Sequence, residues 1–199
     1  MAATLKLTAT SPVQSFSEPV TLAEVEHALG LPALSPSDSE RDSLLKGYIS
    51  AARELAEVYL NRDLVQKQYD LRLDSWPSEI ELRAPLVSVD KVSYLNEQGS
   101  ETVLAEGTDY IVFSNLEPPV VRPPVNGTWP SSSLYPRGAI LVRFTSGYSG
   151  NDAFWGDAGA RVKVAITMIA AWLYYTRGQS NTEIPAAAEA LLTPGRLHR

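Results

Sequence analysis

Residues 46–73 read KGYISAARELAEVYLNRDLVQKQYDLRL, and inside this stretch the spacing of the apolar side chains changes. Up to Tyr59 it is helical: Leu45, Ile49, Ala52, Ala56 and Tyr59 recur at intervals of four, three, four and three, which places them on one stripe and predicts a helix over about residues 38–62. From Leu64 the interval falls to two. Val65, Tyr69, Leu71 and Leu73 alternate with Gln66, Gln68, Asp70 and Arg72, the pattern of a half-buried strand. A long helix thus passes straight into a β region, and the sequence on either side decides what surrounds that junction.

Upstream, Ser37-Asp-Ser-Glu40 and Thr21-Leu-Ala-Glu24 both have the capping-box form, in which hydroxyl and carboxylate each satisfy a backbone N–H at a helix start. The helix begun at Thr21 is expected to stop at Gly30, since glycine takes the left-handed conformation that ends helices. Residues 1–17 are rich in Ser, Thr and Ala without a sustained period and read as an extended arm.

Downstream, short strands are predicted at Ile80–Leu82, Leu86–Leu95, Thr102–Ala105 and Tyr110–Phe113, with turn chemistry in Asn96-Glu-Gln-Gly99 and Glu106-Gly107. Pro118, Pro119, Pro123, Pro124, Pro130 and Pro136 crowd residues 115–137, too many for a regular ladder to be expected there. A last strand, Ala139–Thr145, aims Ile140, Val142 and Phe144 to one side. After a Gly/Asn/Asp-rich loop the helical period returns in Val162, Ile166, Ile169 and Leu173, with Arg177-Gly178 as the stop. Pro185 suits a first helical position, and Pro194-Gly195 closes a helix of about two turns. A helix that short is not stable alone in water, so it needs a surface to lie on.

The expected class is α+β: a small bundle of about four helices with an inserted antiparallel β domain. The divisions are an arm (1–17), a helical core from two segments (18–63 and 151–182), the β insertion (64–150), and a C-terminal helix with its tail (183–199).

Bulk properties narrow the function. The chain of 199 residues is 44% hydrophobic and 20% charged, ordinary values for a folded protein, with a formal net charge of −6. Only residues 151–199 are not acidic, at five cations to four anions. No clustered basic face suggests a grip on nucleic-acid phosphates. There is no cysteine, hence no disulfide and no thiolate chemistry. The most apolar run, Val164–Tyr175, is well short of the roughly 20 residues of a membrane span, and no signal peptide is apparent; a cytoplasmic, soluble chain is expected.

Chemistry-bearing residues are sparse. His27 and His198 are the two histidines, and His27 reads as a structural residue of the first helix. Glu79 and Glu81 share one side of a strand, as solvent-facing charges would. Asp63, Asp70, Asp74, Asp90 and Asp109 lack calcium-loop spacing, and Ser146-Gly147-Tyr-Ser-Gly150 is not followed by a phosphate-binding lysine. Trp172, Tyr174 and Tyr175 read as packing on a helix that is apolar nearly all round, and such a helix must be covered on several sides, by other helices or by a neighbouring copy. No catalytic, cofactor or metal site is expected. The competing reading is a cytoplasmic enzyme or small-ligand module with Glu79, Glu81 or Asp74 as its acid, in a pocket between β domain and bundle.

The ordered set of motifs resembles the head-tail connector (adaptor) proteins of tailed bacteriophages, in the version with a β insertion in a small helical bundle. The motifs are Leu60-Asn-Arg-Asp-Leu64 before a strand, Trp76-Pro77, Pro85-Leu-Val-Ser-Val89, Tyr94 with Gly99, Asp109-Tyr110, Trp129-Pro130 and Gly147-Tyr148. Ile184-Pro185 with Leu191-Leu192 and Pro194 completes the set, and the resemblance runs over about residues 18–196. It implies a virion protein with no enzymatic activity, assembled in the host cytoplasm. Copies would form a ring, about twelvefold, below the portal protein. The ring would extend the channel through which genomic DNA passes without tight binding, and would offer a platform to a stopper or tail-completion protein. It further implies that the C-terminal segment docks on the portal through Ile184, Pro185, Leu191, Leu192, Pro194 and Arg196. Fully buried, each of the three large aliphatic side chains would contribute about 1.5–3 kcal/mol before ordering costs.

Overall fold

The computed structural model describes residues 3–7, 17–32, 39–149, 159–177 and 184–197. The architecture is α+β, with four α-helices among the described residues and two antiparallel sheets. Strands β1 (Ala3–Leu7), β2 (Lys67–Leu73), β4 (Leu86–Leu95), β5 (Glu101–Leu104) and β8 (Ile140–Ser146) form one sheet in the order β1-β2-β8-β4-β5. Strands β3 (Ile80–Glu81), β7 (Val120–Arg122) and β6 (Ile111–Phe113) form the other, with β7 central. The helices are α1 (Leu22–Leu29), α2 (Ser39–Leu60), α3 (Gly159–Thr176) and α4 (Ala186–Leu192), the last followed by a 3-10 turn at Thr193–Gly195. The chain divides into two compact units: residues 66–148 with the N-terminal strand, and residues 17–65 with the chain from Ser149 onward.

In the β unit, period-two patterning becomes rows across the sheet. Tyr69, Phe144 and Val89 stand in one register row, Leu71, Val142 and Val92 in the next, and Leu73, Ile140 and Tyr94 in a third. Phe144, Ile140, Val142 and Val92 are fully buried, and the Tyr69 ring stacks on Phe144 at 5.4 Å. The alternate positions carry polar pairs. Asp70 lies opposite Arg143 and accepts two hydrogen bonds from it, at 2.7 and 2.9 Å. That bidentate pairing raises the Arg143 pKa above its ordinary value. Along the same face Asp90 accepts from Gln68, Ser88 and Thr145.

Two sequence expectations are sharpened or corrected in this unit. Residues 3–7 are extended, as expected of the arm, but they are paired: they form an edge strand, each residue in register with β2 from Ala3 opposite Leu73 to Leu7 opposite Tyr69. Ala-Thr-Leu-Lys-Leu does alternate, over five residues only. The proline-rich interval does hold a ladder, because Pro118-Pro119 and Pro123-Pro124 flank β7 rather than interrupt it. All three residues of β7 retain their N–H groups; Val120 and Val121 pair on both sides, and Arg122 pairs with Ile111 of β6. The rest of the interval is tied down by side chains. Trp129 stacks on Trp76 at 4.4 Å and donates its Nε1–H to the Pro77 carbonyl at 2.7 Å.

In the helical unit, α1 has the expected capping box at Thr21 and Glu24 and ends on Gly30 at φ 66°. The N–H of Thr21 is the main cause holding the Glu24 carboxylate below its ordinary pKa of 4.5. Ser37, of the second predicted box, lies outside the described residues. Along α2 the predicted stripe is buried at Leu45, Ile49, Ala52 and Ala56. Tyr59 is a correction: it is only half-buried, and Leu60 takes the core position at 1% exposure. On α3, Val162, Ile166 and Ile169 are buried while Leu173 is partly exposed. That helix ends at Thr176, with Arg177 at φ 50°.

Candidate functional site

The helical unit contains two features the apolar period did not announce. The first is a buried charge cluster on α2. Arg53, 3% exposed, donates from Nη1 to Glu57 at 2.9 Å, from Nε to Glu18 at 2.9 Å and from Nη2 to Ser50 at 3.1 Å. Glu57, 2% exposed, uses its other oxygen to accept the backbone N–H of Leu64 at 2.9 Å. Asn61 is in the left-handed region at φ 58°, which lets the chain leave the helix, and Glu57 then fixes where it goes. The i, i+4 spacing of Arg53 and Glu57 was visible in the sequence, but such a pair on a helix is ordinarily a solvent contact.

The second is the seat of the C-terminal segment. Helix α4 starts after Pro185, which acts as N-cap one residue before the predicted first helical position, and its carbonyl accepts from Ala188 and Glu189 at 2.8 and 3.0 Å. Ala188 and Leu192 are fully buried, Ile184 is 9% exposed and Leu197 7%. Helix α4 packs against α3 and, less extensively, against α2 of the same chain. Polar ties hold the tip. Tyr59 Oη and Thr193 Oγ1 are 2.8 Å apart, and the Arg196 guanidinium lies 4.8 Å from the Tyr59 ring centre. The Leu197 N–H donates to the Leu60 carbonyl at 2.9 Å, satisfying one of the acceptors a helix leaves open at its end.

This geometry splits the predicted docking set. Ile184 and Leu192 are buried within the chain as it stands. The physical reason is the one that made α4 need a surface: a seven-residue helix is ordered by burying its apolar side, and α2 and α3 supply the place. Pro194 and Arg196 are exposed, and Pro185 and Leu191 are partly exposed.

The candidate acids are occupied or solvent-facing. Asp74 accepts the Gly138 N–H at 2.7 Å, holding a turn. Glu79 pairs with Arg122 at 3.1 Å, and Glu81 is exposed. Asp109 accepts the N–H of Ala105 at 2.8 Å. His27 is exposed in the last turn of α1, and His198 and Gly150 lie outside the described residues. Among the described residues no group of three or more His, Asp or Glu side chains is placed to hold a metal ion, and no helix is long and apolar enough to cross a membrane.

No protein-family model and no curated protein matches the sequence. Solved structures do share the fold. A chain from the neck of an empty GTA particle, computed with C6 symmetry, aligns with a TM-score of 0.76 at 20% identity, covering 98% of this chain and 96% of that chain. A chain from the neck of the native GTA particle, computed with C12 symmetry, gives 0.71 at 20% identity over the same shares. A chain from the virion of the native gene transfer agent particle gives 0.71 at 21% identity, again over 98% and 96%.

Proposed function

We propose that this chain is a structural head-tail connector of a tailed phage or phage-like particle, located in the virion at the head-tail interface and without enzymatic activity. The observation supporting this reading is the likeness of fold to chains of a particle neck over 98% of the sequence. In this reading copies form a ring of about twelve below the portal protein. The ring extends the DNA channel and receives a stopper or tail-completion protein. A net charge of −6 suits a conduit that DNA must traverse without sticking.

The C-terminal segment is the portal-docking element in this proposal, and its packing suggests how. Pro194 and Arg196 are available as the segment stands. Ile184 and Leu192 engage the portal after the segment leaves its seat, exchanging one apolar surface for another.

The test is co-purification with the portal protein encoded in the same genome, using the full chain, a chain stopped after Thr182, and the full chain with Arg196→Glu. Binding by the full chain, with loss on truncation and at least a tenfold weakening by Arg196→Glu, is the expected result. Equal binding by all three would place docking elsewhere on the chain. No binding by any would remove the connector reading.

A further inference from the structure

Opposite its buried stripe, α2 carries a second apolar stripe that faces solvent. Leu44, Gly47, Ala51, Leu55 and Val58 follow one another at intervals of three, four, four and three, and Leu44 and Val58 are 51% and 76% exposed. Helix α3 has a stripe of the same kind. Ala160, Val164, Met168, Ala171 and Tyr175 are spaced four, four, three and four, with Val164 and Tyr175 at 52% and 69% exposure. A helix needs one such stripe to pack in its own bundle, and each of these has two.

Gly47 adds a separate indication. Glycine is a poor helix former in a helix interior, and here the fold does not require it: Gly47 has an ordinary helical backbone, and a Cβ built on it meets nothing within 4 Å. What a glycine at that point does provide is room for another backbone to come close.

Charge selects the occupant. The cations of α2 are engaged with acids of the same unit: Lys46 with Asp42 at 3.0 Å, Arg41 with Glu26 at 3.3 Å, and Arg53 with Glu57 and Glu18. Glu40 and Glu54 are exposed beside the outer stripe, Glu54 with Arg53 Nη2 at 3.6 Å. Helix α3 has no acidic residue at all, and the exposed Arg161 flanks its stripe, while the charge of Lys163 acts on Glu24 of α1 in the same chain. Two α2 stripes facing each other would set Glu40 and Glu54 against their own copies. An α2 stripe facing an α3 stripe sets acid against base.

We infer that the outer stripe of α2 in one copy packs against the outer stripe of α3 in the next copy, a head-to-tail contact of the kind that closes into rings. This rests on the connector reading only for its setting; the contact itself belongs to the chain alone. The absence of native cysteine makes it directly testable. Ala51 and Met168 lie near the middles of their stripes, so Ala51→Cys with Met168→Cys comes within reach whether the helices run parallel or antiparallel.

With a short bis-maleimide at high protein concentration, the double variant should give a ladder beyond dimer, at least fivefold more than either single variant. Adding Gly47→Trp should remove the ladder without lowering the melting temperature. A ladder that survives Gly47→Trp, dimers formed equally by Ala51→Cys alone, or no ladder either free or bound to the portal would each overturn the inference. A ladder from protein that does not bind the portal would instead count against the connector reading and leave this contact standing.

Discussion

The two units handle their surfaces differently. In the β unit the exposed large apolar side chains are scattered singly over β4, β5 and the loops: Val87, Val103, Leu116, Val125 and Tyr135. Its charged groups close on one another, as Asp70 does with Arg143, Glu79 with Arg122 and Lys91 with Glu101 at 2.7 Å. In the helical unit the exposed large apolar side chains Leu44, Val58, Val164 and Tyr175 lie on the outer stripes of its two long helices. Isolated apolar residues on a surface need no explanation, whereas aligned ones mark a contact. Among the described residues, the exposed apolar side chains of the β unit share no face, and those of the helical unit do.

The contrast predicts which substitutions matter to folding and which to assembly. The largest effect falls in the β core, where Phe144→Ala should lower stability by about 4 kcal/mol in denaturant unfolding, because a fully buried ring leaves a cavity. A loss under 1 kcal/mol would mean that this core is loosely packed. Next comes Arg53→Ala, which removes the buried guanidinium that Glu57 and Glu18 accept from and should destabilise by about 3 kcal/mol. Its distinguishing sign is faster amide exchange at Leu64, whose N–H the Glu57 carboxylate accepts. Gly47→Ala should act in the opposite direction on the fold, raising stability by about 1 kcal/mol while weakening cross-linking between copies. A variant both more stable and fully self-associating would erase the difference drawn between the units.

The smallest effect concerns pH. The Thr21 N–H holds Glu24 below its ordinary pKa, so the capping box adds stability above that value and loses it as pH falls through the lowered one. Glu24→Gln should therefore lower stability slightly at pH 7, change it little in acid, and flatten the acid side of the curve. An unaltered acid slope would show that the box contributes nothing.

Much of the fold was legible because long periods are redundant. Five residues marked the stripe of α2, and eight marked the alternation that gives β2, so neither reading hung on one position. The failures were short or depended on partners distant in sequence. Ala3–Leu7 alternates over too few residues to stand out from a polar arm, and its ladder is settled by β2, more than sixty residues away. Val120–Arg122 was hidden by the prolines beside it. At the C-terminal segment, sequence identified a short apolar helix needing support, but not that Leu60 and Tyr59 provide it, since nothing local links residues 59–60 to 193–197. The outer stripe of α2 was readable at its intervals of three and four; the stronger buried stripe on the same helix masked it.

The most direct test of the account is electron cryomicroscopy of particles produced from the genome that encodes this chain, with the head-tail vertex reconstructed separately. The account predicts a ring of this chain between head and tail, with the helical units touching their neighbours through α2 and α3. A complete neck without this chain, or tailed particles formed after its gene is deleted, would contradict it.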